Sequence, residues 1–401
     1  MVTVTAAIVK MLKQFRNWLA NSRDFLFSRY TKDKKETQEP ERSLVELPQE
    51  IQERLIQQVE NLPTHPANQE AIASELDQAF HRWRQAPDHA DNSLVVLSSP
   101  VTAVSRILSS TLETWASQQQ ISIRLLPWKA RPEAIESIKS KLEHYLEVKA
   151  IDDAEDPPLE VVVIPNLSWC FLRSLEGLEG IEYLQTLLCD GTNHRFWIIG
   201  AGEVGWQYLN SVGNLEAYCG EVFTLPELAT EDLQTWLEPV VTEMELEFDE
   251  PRIDQQLFDS DKDYKNNYFD RLASISQGVS TVAVQGFLKS IRYEDEAREN
   301  EDNDSTRLPS LVAQYPSLPN LPDLTAADRY LLYSLLLHGD LSVTTLAQSL
   351  GDEKSEVQAR VQILRRKGVI EQKKQTLKIN PVHYPKLKQE LASNNFIINR
   401  D

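Results

Sequence analysis

Glycine is scarce in this chain, with 13 among 401 residues. A phosphate-gripping turn must draw on that small set, because glycine lets the backbone close around an anion with no side chain in the way. Cysteine is scarcer still: Cys170, Cys189 and Cys219. Their odd number and spacing exclude a disulfide framework and a zinc pattern. Each lies among apolar neighbours and reads as a small buried hydrophobe of a reducing compartment. The seven histidines form no HxxxH pair and stand near no Cys/Asp cluster, so no metal and no cofactor is expected. No spacing argues for a Ser/His/Asp or Cys/His nucleophile. Apolar runs fall short of the roughly 18–20 residues that cross a bilayer. Lys10, Lys13 and Arg16 interrupt the apolar core that a signal peptide would need. The expected location is the cytoplasm, or the cytoplasmic face of a membrane.

What is abundant is acid. The net charge is −20, unusual for a dedicated nucleic-acid binder, but it is unevenly spread. Residues 1–35 carry eight Lys and Arg against Asp24 and Asp33, and the rest of the chain is correspondingly more acidic. Within them, residues 5–30 read as one amphipathic helix. Ile8, Leu12, Phe15, Leu19 and Leu26 share a face that Met11, Trp18 and Phe25 widen, with Lys10 and Lys13 opposite and Arg16 at the flank. Such a face suits an anionic membrane surface. It equally suits docking on the chain's own body or on another protomer.

The 41% of hydrophobic residues suffices for packed cores, and the length suggests two or three domains. Residues 36–47 read as a charged linker. Residues 48–86 read as two helices broken around Leu62–Pro66. Short apolar runs follow at Leu94–Leu97, Ile121–Leu126, Val161–Ile164, Phe196–Ile199 and Val222–Leu225, alternating with helices over 104–117, 133–148 and 171–190. A fully apolar run such as Val161–Ile164 is typical of a parallel strand buried on both faces. The fold class is therefore α/β, a doubly wound parallel sheet over 48–229. Residues 230–291 lose the strand signal and look like a helical lid. An acidic run (294–304) and Pro309, Pro316, Pro319 and Pro322 make 292–322 a solvated linker.

The turn after Leu94–Leu97 carries the chemistry. A phosphate loop there would read GxxxxGK[ST], with glycine N–H groups around the phosphate and a lysine neutralising it. The residues are instead Ser98-Ser99-Pro100-Val101-Thr102-Ala103-Val104-Ser105. Ser98 and Ala103 stand at the glycine positions and Val104 at the lysine position. Ser105 alone keeps the hydroxyl, and Pro100 removes one donor. After Val161–Ile164, where a metal-holding Asp and a water-positioning Glu belong, stand Pro165 and Asn166. Gly200-Ala201-Gly202 lacks the spacing of a dinucleotide fingerprint.

This order of elements resembles the AAA+/STAND superfamily of P-loop ATPases, the signal-transduction and origin-recognition type. The resemblance covers about residues 48–390 and rests on element order. SSPVTAVS takes the Walker A place, VVVIPN the Walker B place and RFWIIGAG (195–202) the sensor-1 strand. LASISQGVSTVAVQGFLKS (272–290) is similar to the family's lid, with Gly278 opening its helix but without the expected Arg or Pro partner. Every departure falls on a catalytic position. The resemblance thus implies a P-loop NTPase-type fold with a vestigial nucleotide site at Ser98, Ala103, Val104, Ser105, Pro165 and Asn166, and no ATP hydrolysis. A residual ATPase would need Lys129 or Glu203 to take over.

A C-terminal winged helix is a habit of the same family, and residues 323–391 fit one. Thr325-xx-Asp328 is a capping box that opens a helix ended by Gly339. A second helix, about 342–350, breaks at Gly351, and a third, about 354–367, stops at Gly368. Residues 369–379 then read as two short strands. Val357, Val361 and Leu364 would face the core. Lys354, Arg360, Arg365 and Arg366 on the third helix, with Lys373, Lys374 and Lys378 on the wing, suit DNA and equally suit a docking module whose basic face pairs with the chain's acidic body or linker. Between Asp352 and Lys388 ten basic residues face four acids. The leading expectation is a non-hydrolysing regulator that binds DNA. The alternative is a protein-interaction scaffold, its partner unspecified, that Met11, Phe15, Trp18, Lys10, Lys13 and Arg16 tether to a membrane surface.

Overall fold

The computed structural model describes residues 44–87, 91–147, 159–189, 194–249, 264–294 and 310–398, which belong to one compact unit, Leu44–Asp401. The basic N-terminal helix, including Lys10, Met11, Lys13, Phe15, Arg16 and Trp18, lies outside the described residues. Among those described, no helix is long and apolar enough to cross a membrane.

In chain order the first half runs β1 (Leu44–Val45), α1 (Gln49–Glu60), α2 (Pro66–Gln85), β2 (Ser93–Ser98), α3 (Val104–Gln119), β3 (Ile123–Leu125), α4 (Ser137–Leu146), β4 (Glu160–Ile164), α5 (Glu179–Cys189), β5 (Arg195–Gly202), α6 (Glu203–Gly213) and β6 (Glu221–Thr224). Strands β2 to β6 form one parallel sheet in the order β3-β4-β5-β2-β6. All five apolar runs read from the sequence are strands of it, so the α/β doubly wound class holds. The alternation of each strand shows why. Leu94, Val96, Val161, Val163, Phe196 and Ile198 pack on one face against α2 and α3. Val95, Leu97, Val162, Ile164, Trp197 and Ile199 pack on the other against α4, α5 and α6. The step from β2 to the far edge β3 runs over α3. The steps back through β4 and β5 to β6 run over α4, α5 and α6 on the opposite face. Right-handed crossovers require that switch of face when the direction reverses. The connections leaving β2 and β5, which are neighbours, therefore diverge and leave a crevice at their C-terminal ends. The helix expected from 171 starts only at Glu179, because a 3₁₀ turn at Leu167–Cys170 and the bend closed at Gly177 occupy the residues before it.

Next come α7 (Thr230–Glu243), β7 (Leu246–Phe248), α8 (Tyr264–Ser276), α9 (Ser280–Ser290), β8 (Ile291–Glu294) and β9 (Leu311–Ala313). The expectation of a purely helical lid needs correcting. Strands β1, β8, β9 and β7 form a second, mixed sheet in that order, and α1, α7, α8 and α9 share its core. The solvated linker of 292–322 is corrected over 310–322, while Pro309 and the acidic run after Glu294 fall outside the described residues. Leu311, Val312 and Ala313 are buried in the sheet. Leu318, Leu321 and Leu324 lie against the main core, and Lys386 Nζ donates to Leu318 O at 3.1 Å and Asn320 Oδ1 at 2.8 Å. Pro316, Pro319 and Pro322 lie in this strap, whose apolar side chains face inward.

The last segment matches its sequence signals closely: α10 (Ala326–His338), α11 (Val343–Leu350), α12 (Lys354–Arg366), β10 (Ile370–Lys373), β11 (Thr376–Ile379) and α13 (Tyr384–Ser393). Thr325 caps α10 through the Asp328 N–H at 3.2 Å, and Asp328 Oδ2 accepts the Thr325 N–H at 3.0 Å. Gly351 closes α11 at φ 76°, a conformation that a side chain would oppose. Strands β10 and β11 pair antiparallel as a hairpin. This segment is no tethered appendage. Its buried Leu331, Leu335, Leu346, Val357, Val361 and Leu364 belong to the same continuous core as Trp197, Val204 and Trp206. Where α6 meets α10, a β-carbon at Gly205 would stand 2.7 Å from Leu337 O, so the two helices approach too closely for any side chain.

Gly205→Ala is therefore expected to destabilise the protein by about 1–3 kcal/mol, since the obstructing atom is backbone and the helices must part. Urea unfolding followed by tryptophan fluorescence measures it, and an unchanged midpoint contradicts this account of the packing.

Candidate functional site

A crevice is present at the C-terminal end of β2, bordered by Asn166 after β4 rather than by β5. A cavity of about 610 Å³ extends from the loop after β2, past α9, to the β10–β11 hairpin. The loop does not open towards it as a phosphate cradle would. The Thr102 N–H donates to Ser99 O at 2.9 Å, Val104 N–H to Thr102 O at 3.0 Å and Arg106 N–H to Ala103 O at 3.0 Å. These donors are spent within the loop itself. Ser98 is buried and its hydroxyl donates to Ser99 O at 3.3 Å. Val104, at the lysine position, is 3% exposed and packs with Ile107 and Leu108 in the core between α3 and the sheet. Thr102 Oγ1 lies 3.2 Å from Thr281 Oγ1 on α9, so the lid helix already meets the loop. Ala103 caps nothing with its side chain, and Ser105 lines the cavity.

After β4, Pro165 packs its carbonyl close to Gly200, where an added β-carbon would stand 2.5 Å from Pro165 O. Asn166 lines the cavity but accepts the Ser168 N–H on Oδ1 at 3.0 Å, which caps the 3₁₀ turn at Leu167–Cys170. The charged lining comprises Glu60, Arg106, Asp340, Glu371 and Lys378. Acids outnumber bases, and Lys378 Nζ already sits 3.8 Å from Asp340 Oδ2. Burial pushes the Glu371 carboxyl up, against the pull of Lys289 and Lys378. Of the two cations, Arg106 makes no ion pair among the described residues, but no lysine stands where a phosphate loop would place one, and the loop's N–H groups are turned to its own carbonyls. No group of three His, Cys, Asp or Glu able to hold a metal occurs among the described residues. Neither Lys129 nor Glu203 lines the cavity. Burial also raises the thiols of Cys170 and Cys219 to about 12, so neither is a nucleophile at neutral pH.

Beside the cavity runs the seam that fixes the C-terminal helices. Arg131, between β3 and α4, donates from Nε to Phe171 O at 3.0 Å, from Nη1 to Asp340 O at 2.9 Å and from Nη2 to Ser168 O. Burial draws its pKa down to about 10, and it remains charged. Arg173 reaches the other way, donating to Ser334 Oγ at 3.3 Å and Ser349 O at 3.0 Å. Its backbone N–H donates to His338 Nε2 at 3.2 Å, and the His338 ring lies 4.9 Å from that of Phe171. Burial, with Arg131 and Arg173 nearby, holds the His338 pKa well below 6.5. Sequence reasoning missed all three residues. The only available signal was two arginines: Arg131 in a segment that reads as a loop, and Arg173 near the start of the segment read as a helix from 171.

The seam turns one face of the C-terminal segment outward. On α12, Val357, Val361 and Leu364 are buried, whereas Lys354, Gln358, Gln362, Ile363 and Arg366 are exposed. Arg360 and Arg365 are half-buried, and Arg365 Nη1 donates to Gln362 Oε1 at 3.3 Å. Lys373 and Lys374 are exposed at the hairpin tip, Lys374 with φ 58°. The structure thus brings together six of the seven cations singled out as DNA contacts. It parts from the seventh, Lys378, whose register opposite Glu371 turns it towards Asp340 and the cavity.

No family model and no curated protein matches this chain. Solved structures are similar to it along most of their length. Cdc6p from Pyrobaculum aerophilum has a TM-score of 0.36 and 13% identity over 82% of this chain and 96% of its own. The Holliday junction branch migration motor RuvB from Thermotoga maritima has a TM-score of 0.32 and 16% identity over 80% and 94%. The Aeropyrum pernix ORC2 protein, in ADPNP–ADP complexes, has a TM-score of 0.33 and 11% identity over 80% and 94%. Likenesses this distant carry no inference about activity, and the fold class rests on the sheet order and its two packed faces.

His338 and His383 define a pH dependence of stability. His383, beside Lys289 and Lys386, is drawn down by burial to about 4. Both histidines bind protons more weakly folded than unfolded, so stability rises with pH. Their contribution is complete above about pH 6.5 and is lost as pH falls below it. Between pH 6.5 and pH 5 each adds up to about 1.4 kcal/mol per pH unit to the slope. Urea midpoints measured across that range should fall for the native protein and fall less steeply for His338→Gln. Equal slopes contradict a neutral His338 in the seam.

Proposed function

We propose that the chain is a regulator without ATP hydrolysis, whose α/β body carries a winged helix formed by α10, α11, α12 and the β10–β11 hairpin, and that this winged helix binds DNA. One observation carries the DNA-binding half: an outward face with Lys354 and Arg366 on α12 and Lys367 just after it, Arg360 and Arg365 beside them, and Lys373 and Lys374 at the tip. No ion pair among the described residues engages any of these seven. A helix that enters the major groove, flanked by a basic hairpin over the adjoining phosphates, needs that distribution. Lys378 is left out of the interface because Asp340 holds it. The hydrolysis half is supported by Val104 in the core, by the loop donors spent on their own carbonyls and by Asn166 serving as a cap.

Two measurements test the reading. Phosphate release from ATP should not exceed that of a heat-treated control, and sustained turnover overturns the first half. In fluorescence anisotropy with random-sequence duplex, affinity should fall steeply as salt rises. Replacing Lys373 and Lys374 by alanine should weaken binding to all sequences alike and lower the salt slope by about 1 for each phosphate that the variant no longer neutralises. An unchanged slope overturns the interface.

A further inference from the structure

The outward face of α12 has an ordered composition. At intervals of four, Lys354, Gln358, Gln362 and Arg366 form one stripe, and Ser355, Ala359, Ile363 and Lys367 form the next, all eight exposed. Residues four apart on a helix lie one above the other. Lys354 thus stands at one end of the face, with the exposed Glu353 and Glu356 beside it, and Arg366 and Lys367 at the other, and its middle holds two amides and two apolar side chains. From Lys354 to Arg366 the helix rises about 18 Å, more than the roughly 12 Å width of a major groove. Its ends can meet phosphates while its middle lies over base edges.

The middle of that face decides which bases. A glutamine amide matches adenine, accepting from N6 and donating to N7, and an apolar side chain matches the thymine methyl. Guanine is met best by a guanidinium or an ammonium, and Gln358, Ala359, Gln362 and Ile363 offer neither. Two further details fit. Arg365 donates to Gln362 Oε1, which holds that amide in place and leaves its Nε2 donors and one Oε1 lone pair for a base. Ile363 is 53% exposed, while the helix takes its core packing from Val357, Val361 and Leu364. Its exposure serves no packing within the described residues.

We propose that α12 reads A·T base pairs directly, with Gln358 and Gln362 on adenine and Ala359 and Ile363 on thymine methyl groups. This rests on the DNA-binding reading above. The test uses the full chain and short labelled duplexes of mixed-order A·T pairs, of G·C pairs, and of A·T pairs with uracil in place of thymine, which removes only the methyl. The A·T duplex should bind at least about tenfold tighter than the G·C duplex, and uracil should cost several-fold, in keeping with the discrimination of single base contacts. Gln358→Ala with Gln362→Ala should abolish the A·T preference and leave the salt slope unchanged. Ile363→Ala should abolish the uracil penalty. All three positions are exposed, so the fold is retained, and far-UV circular dichroism checks this. Equal affinity for A·T and G·C duplexes overturns the inference and leaves DNA binding standing. So does an A·T preference that survives the glutamine variants, because DNA shape would then be read elsewhere. Failure to bind any duplex at low salt overturns the DNA-binding reading, and this inference with it.

Discussion

Two arginines pointing in opposite directions, Arg131 into the turn between β4 and α5 and Arg173 into the C-terminal helices, hold this molecule in one arrangement. Arg131 places its charge where water is largely excluded, and a buried charge is tolerable only when its hydrogen bonds are met. Arg131 meets three carbonyls, from Ser168, Phe171 and Asp340. They belong to both sides of the seam, so parting the two sides would strand a guanidinium and three acceptors together. His338, buried and neutral between them, accepts from the chain at Arg173 rather than adding a third charge. The geometry is specific because few other arrangements would give the Arg131 guanidinium acceptors from both sides of the seam.

The loop and turn beside the seam show the consequence. In a nucleotide site the backbone N–H groups after β2 stay open for an anion. Here the loop pairs its own donors and Pro100 packs between Gly202 and Gly339. At two of the positions where the resemblance would place catalytic groups, Val104 packs in the core and Asn166 caps a turn, and beside them Thr102 meets Thr281. A loop without glycine loses the freedom to cradle an anion and gains packing against the lid and the C-terminal helices.

Much of this was legible in the sequence, for local reasons. Val161–Ile164 reads as a buried parallel strand because both its faces are covered, and Thr325, Gly339, Gly351 and Gly368 mark helix ends because cap chemistry is local. Val104 also gave a signal: with Ile107, Leu108, Thr111, Leu112 and Trp115 it continues the buried stripe of α3. The second sheet was not legible, since strands of two to four residues show too few alternations to set a period. Nor was the seam. Arg131 and Asp340 are 209 residues apart, and nothing local distinguishes a surface arginine from one that joins two halves of a fold. The same holds for Lys378, whose neighbours on the hairpin suggested solvent until tertiary packing set Asp340 opposite.

The seam also bears on how an acidic protein would meet DNA. A basic module on a flexible tether would be free to fold back on acidic surface of its own chain. With α10 locked to α6 at Gly205 and to the β4–α5 turn by Arg173, the cations of α12 and the hairpin tip face away from the core that the module shares with the sheet. Among the described residues, Lys378, nearest the cavity, is the cation of the hairpin that lies within ion-pair distance of an acid. Docking thus separates charges that composition alone would pair, and the strength of that separation is the strength of the seam.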